Sequence, residues 1–216
     1  MNTLVRSYLF LRRAIGVLGF ALPIVVIVGK EILQGGGLLG SLSGYYYSDM
    51  RNVFVGILCA IGVFLISYRG YGRVDDIAAD VAAVAGIGVA LFPTSPSSPT
   101  TTEHVIGVAH LVFAAVFFLT LAFFCLFLFT KSDGSVATPR KKARNVLYRV
   151  CGVVMLASLV LIVLIGLFFN TATASLHPTV WLESLAIFAF ALAWLVKGET
   201  LLADAPHQRA DVPQPA

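Results

Sequence analysis

The sequence predicts an all-α integral membrane protein: one bundle of about six transmembrane helices, with both termini in the cytoplasm. Three observations predict it. Hydrophobic residues make up 58% of the 216 and charged residues only 12%, against roughly 25% charged in soluble domains; the mean hydropathy is +0.90. The apolar residues gather in runs close to the roughly 20 residues that cross a bilayer. Lys and Arg fall almost entirely on one side of those runs.

The first run is Ala14 to Leu33, preceded by Arg6, Arg12 and Arg13. It is long enough to span, and no small-x-small cleavage site follows it cleanly, so it reads as a helix and not as a removed leader. Val53 to Tyr68 and Ile77 to Phe92 are short spans. The tight connection Arg69-Gly70-Tyr71-Gly72-Arg73 makes them an antiparallel hairpin. Asp75, Asp76 and Asp80 open the third helix at its N-terminus, where acids favour the helix dipole, and Asp80 is deep enough to pair with Arg69 or Arg73. Phe92-Pro93 and the Ser- and Pro-rich residues behind it end that helix. Val105 to Phe129, Val146 to Phe169 and Thr179 to Val196 complete the set. Residues 1–198 form the transmembrane domain. Residues 199–216, rich in Pro, Asp, Ala and Gln and without apolar periodicity, read as a disordered cytoplasmic tail.

Orientation follows from the basic residues. Arg6, Arg12, Arg13, Arg69, Arg73, Lys131, Arg140, Lys141, Lys142, Arg144, Arg149 and Lys197 share one side, and only Lys30 and Arg51 lie on the other. The positive-inside rule puts the first set in the cytoplasm. The net charge of +4 is therefore a topology signal, and no nucleic-acid partner is expected; the basic loop is also placed to meet anionic headgroups. Cys59, Cys125 and Cys151 lie inside apolar runs without metal-type spacing. In the third helix Ala82, Gly86 and Ala90, with Ala79 and Ala83, make a small-residue ridge. Such ridges let helices approach closely in lipid, so this helix is expected to be central, and the ridge could also join two copies into an oligomer.

Ionisable groups at membrane depth are costly and mark candidate sites. They collect on the outer side. The first outer loop carries Ser43, Tyr45, Tyr46, Tyr47, Ser48, Asp49 and Arg51; the second ends in Glu103-His104 and leads to His110; the third holds His177, Trp181 and Glu183. At about 1.5 Å rise per residue, His110 and Glu183 reach comparable depth and can meet across the bundle. The expected cavity is lined by Asp49, Arg51 and the loop tyrosines. Three readings stay open. His110, Asp49, Glu183 and His177 could bind zinc, whose bound water would attack a lipid ester or amide. His110 and Glu183 could instead line a route for protons or a small solute. Or they could be a buried hydrogen-bonded pair that fixes packing in a non-catalytic partner subunit.

The chain resembles a family of bacterial polytopic membrane proteins without assigned activity. The resemblance runs through Ser43-Gly44-Tyr45-Tyr46-Tyr47, Met50-Arg51-Asn52-Val53-Phe54-Val55-Gly56, Tyr68-Arg69-Gly70-Tyr71, Ala90-Leu91-Phe92-Pro93, His110, Phe127-Leu128-Phe129-Thr130-Lys131 and Trp181-Leu182-Glu183-Ser184. It implies a bacterial inner membrane. More distantly the pattern is similar to the CREST superfamily of membrane hydrolases, which implies seven helices and a three-histidine zinc site with an aspartate and a serine nearby. Ser43 or Ser48, Asp49 and His110 match such parts, and Ser43, Asp49 and Glu183 are the catalytic candidates; Tyr46, Tyr47, Arg51, Trp181 and Glu103 would line the ligand. The last helix carries Trp181 and Glu183 where that superfamily has paired histidines.

Overall fold

The computed structural model describes residues 3–131, 138–169 and 174–202. Among these the chain is helical and without strands: α1 (Thr3–Gln34), a 3-10 turn (Ser43–Tyr47), α2 (Arg51–Ser67), α3 (Arg73–Leu91), α4 (Thr101–Phe123), α5 (Pro139–Leu164) and α6 (Pro178–Lys197). π-Helical turns extend α4 over Phe124–Leu128 and α5 over Ile165–Phe169. The helix starts follow local chemistry. Thr100 and Glu103 form a capping box on α4, Thr138 caps α5 ahead of Pro139, and Pro178 opens α6.

Among the described residues four segments are long and apolar enough to cross a membrane: Ser7–Gln34, Thr101–Leu128, Pro139–Phe169 and Pro178–Lys197. α2 is apolar but shorter, and α3 carries acids in its first turn. The outer faces are apolar throughout. Val17, Phe20, Ile24 and Val28 on α1 and Val146, Val150, Val153 and Val160 on α5 are all exposed. A soluble chain rarely leaves so continuous an apolar surface in water; lipid covers it at no cost. Of the expected tail, only residues 199–202 fall among those described.

Each helix packs on its neighbours in the chain, and α6 closes on α1, so the helices form a ring. Large side chains fill its interior: Trp194, Tyr68, Phe124, Phe190, Leu22 and Ile61 are fully buried. α3 is not central, contrary to expectation; it packs chiefly on α2 and α4. The small-residue ridge is spent within the chain. Ala79, Ala82, Ala83 and Ala90 are fully buried, and a Cβ on Gly86 would stand 3.0 Å from the Phe117 ring. The outward face of α3 carries Val74, Ile77 and Val84, which leaves the ridge no face for a second copy.

The two ends differ in charge. At one, Arg12 Nη1 donates to the Lys197 carbonyl (3.1 Å) and Arg13 Nε to that of Gly198 (2.8 Å), so two guanidinium groups from α1 cap the last turn of α6. Tyr8 donates to the Arg69 carbonyl, Arg69 pairs with Asp80 at 3.4 Å, and Lys131 pairs with the buried Asp75 at 2.6 Å. Gly70 permits this turn: a Cβ there would lie 2.0 Å from that of Asp75. At the other end Lys30 turns back to the carbonyls of Gly35 and Gly37, and the Arg51 guanidinium lies 4.2 Å from the centre of the Tyr46 ring.

Candidate functional site

The polar cluster expected on the outer side forms where the loop after α1 meets α6. Gly35, Gly36 and Gly37 all have positive φ, which glycine adopts without strain, and they turn the chain back over the ring. Leu42 and Ser43 then press against α6, where the Glu183 carboxylate accepts the Leu42 N–H and the Ser43 hydroxyl (3.4 Å). Across the ring, α3 stops at Leu91 before Pro93 and leaves the Phe92 carbonyl free of the helix. Nδ1 of the buried His110 lies 2.6 Å from that oxygen. A carbonyl only accepts, so Nδ1 carries the hydrogen that points at Phe92. His110, Glu183 and Ser43 line one cavity of about 40 Å³, closed by Leu22, Phe54 and Phe117. That is room for about one water molecule.

The other expected residues do not reach this cavity. Asp49 is exposed in the turn before α2. Arg51 donates to the Tyr46 hydroxyl, and Tyr47 donates to the Thr94 carbonyl at 2.7 Å, tying the first outer loop to the second. Glu103 is occupied as the helix cap, accepting from Thr100 N (2.7 Å) and Oγ1 (2.8 Å). Trp181 is 54% exposed, on the lipid side. His177 is the left-handed residue ahead of α6. Tyr45 is the fully buried tyrosine of the loop, and burial pushes its phenol pKa up. The zinc set is therefore not assembled: among the described residues no three of His, Cys, Asp and Glu stand close enough to hold a metal ion. The physical reason is that His110 and Glu183 are committed to backbone partners, while Asp49 and His177 sit at separate helix starts.

Sequence reasoning missed the site at the opposite end of the ring. A cavity of about 240 Å³ opens there among Arg12, Lys197, Arg144 and Tyr148. Its basic residues read as topology charges and, in the loop before α5, as a place for anionic headgroups, but not as the wall of one cavity. The signal available was that four separate runs each deliver a cation to the same end. Between the cavities stands a column of rings: Phe117 to Phe190 (6.2 Å between centres), Phe190 to Trp194 (6.2 Å) and Trp194 to Phe129 (5.3 Å). Phe117 borders the cavity of His110 and Glu183, and Phe129 the basic one. No family model matches the chain, and no curated protein or solved structure matches it.

Proposed function

We propose that this chain is a six-crossing protein of the bacterial inner membrane, with both termini in the cytoplasm, that passes protons or a small solute along the axis of its helix ring. The crossing number is supported by the reach of the helices. Arg12 and Lys30, which bracket most of the apolar run of α1, are separated by roughly 27 Å of helical rise, close to the ~30 Å hydrocarbon core. α2 and α3 sit between α1 and α4 in the ring, and both ends of that hairpin contact the end clusters. The sidedness rests on the basic end and the positive-inside rule, and the inner membrane on the family resemblance.

The observation that carries the transport reading is the axial order: a carboxyl and an imidazole in a water-sized cavity, then a column of aromatic rings, then a polar cavity at the other end. This is the layout of a closed pathway with two polar mouths. Apolar residues would pack the outer mouth at lower cost than Glu183 and His110, since ionisable groups at membrane depth are expensive. The test is proton flux into proteoliposomes loaded with a pH-sensitive dye. Wild-type protein should conduct above empty vesicles, and Glu183→Gln should lower the flux about tenfold or more, in line with loss of a proton-carrying group. Flux equal to empty vesicles, or unchanged by Glu183→Gln, refutes it.

A second reading has its own support. Glu183 and His110 are both bonded to loop backbone, as latches in a non-catalytic partner subunit would be. On that reading Glu183→Gln lowers thermal stability and leaves every transport measurement unchanged.

A further inference from the structure

The cavity at the basic end is lined by the cations Arg12, Lys131, Lys141, Arg144 and Lys197, against Glu199 in the same wall and Asp75 bonded to Lys131. Arg12 is 7% exposed, and its buried Nε has no hydrogen-bond partner among the described residues. The Lys197 ammonium lies over the rings of Tyr71 and Phe129, 5.0 and 5.2 Å from their centres; among the described residues no carboxylate stands within ion-pair distance of it. Lys141, Arg144 and Lys197 are half-buried and Lys131 is exposed; the buried Arg12 guanidinium costs free energy that Leu or Met would not. The neutral residues of the wall, Tyr71, Tyr148 and Asn145, add hydrogen-bond donors of the kind an oxyanion takes.

The geometry points to a binding site for a small phosphate-bearing anion at this end of the ring. A guanidinium, ammonium groups and hydroxyl or amide donors around one space are the set that recognises phosphate oxygens. Size narrows the class further. About 240 Å³ is near eight waters at ~30 Å³ each, and it lies below the ~300 Å³ at which pockets for drug-sized ligands begin. A phosphate with a few attached atoms fits. Two sources supply that chemistry: the headgroup of an anionic phospholipid, for which basic pockets between membrane helices are a known form, or a soluble phosphate or phosphate ester. The site stands on the cavity and not on passage through the ring.

Full-length protein in phosphatidylcholine nanodiscs is titrated by calorimetry with inorganic phosphate and, separately, with dihexanoyl phosphatidic acid. Saturable binding of at least one is expected, weakened about tenfold or more by Lys197→Gln, as loss of a charge-assisted contact in an enclosed site requires. Lys141→Gln, a change of a partly exposed residue in the same wall, should weaken it by a smaller factor and keeps the test sound if Lys197→Gln misfolds. Lys142→Gln, exposed and outside the cavity, is the control that should bind as wild type does. Binding of inorganic phosphate identifies a soluble anion; binding of the lipid alone identifies a headgroup. Binding without proton flux keeps this inference and removes the transport reading. Absence of saturable binding for both probes, or equal binding by Lys197→Gln, Lys141→Gln and Lys142→Gln, overturns it.

Discussion

The ion pair between Lys131 and Asp75 gives a sharp prediction because its two ends are unequally buried. The nitrogen and oxygen are 2.6 Å apart, and the side chains are 43% and 2% exposed respectively. Breaking a buried pair by deleting one partner costs about 3–5 kcal/mol when the survivor stays buried and charged. Lys131→Met strands the Asp75 carboxylate. The first turn of α3 still favours an acid and the lysine end already meets solvent, so a loss of about 2–3 kcal/mol is expected, just below that range. Asp75→Asn strands only a half-exposed ammonium, which can swing outward into solvent; about 1 kcal/mol is expected. The order of the two costs is the content of the prediction. Equilibrium unfolding in mixed micelles, followed by tryptophan fluorescence, measures it. The double variant should recover most of what Lys131→Met loses, because the stranded charge is gone. An Asp75→Asn loss equal to or larger than that of Lys131→Met refutes the reasoning.

Gly107→Ala should destabilise the protein by about 1–3 kcal/mol: its Cβ would stand 1.9 Å from Ser95 Oγ and 2.8 Å from the Ser95 backbone nitrogen. A thermal melt in detergent measures this, and adding Ser95→Ala should restore only part of it because the backbone atom remains. A periplasm-active reporter fused after Ser97 should be active and one fused after Lys131 silent; both reporting the same side would refute the six-crossing topology, and the reverse pattern would refute the assignment of the basic end to the cytoplasm.

Much of the fold was legible because lipid imposes a simple rule. Among the described residues each of the six apolar runs lies in a helix, though α1 begins at Thr3 and α5 at Pro139, well ahead of the expected Ala14 and Val146 because their basic flanks are helical too; basic residues read as one side meet at one end. The Asp80–Arg69 pair was legible from helical depth. The place of α3 in the ring was not. Small residues announce close packing but not which neighbours supply it, and here α2 and α4 supply it. In the outer cluster, matched depth along two helices brought His110 and Glu183 to one cavity. Their partners were not legible, because the Leu42 N–H and the Phe92 carbonyl are backbone groups that any residue would offer. Glu103 was misread for a similar reason: spacing from Thr100 made it a cap before depth could make it a ligand.

The decisive element for the transport reading is α6. Glu183, Ile187, Phe190, Trp194 and Lys197 recur at alternating intervals of four and three, which places them on one face of a helix. That stripe begins at the outer cavity, which Glu183 and Ile187 line. It continues through the buried Phe190 and Trp194 and ends at the basic cavity, which Lys197 lines. Trp194 is the largest fully buried side chain and touches Tyr68, Phe124, Phe129 and Phe190, so it closes the column near its middle. Trp194→Ala removes this closure. The stability loss should be about 3–5 kcal/mol, as for a large aromatic in a core. If the column is a shut pathway, proton flux into proteoliposomes should rise in the same variant and stay sensitive to Glu183→Gln. A rise that ignores Glu183→Gln would mean a leak through a damaged bundle, and no rise in a folded variant would mean that the column is packing alone. Either result sinks the transport reading.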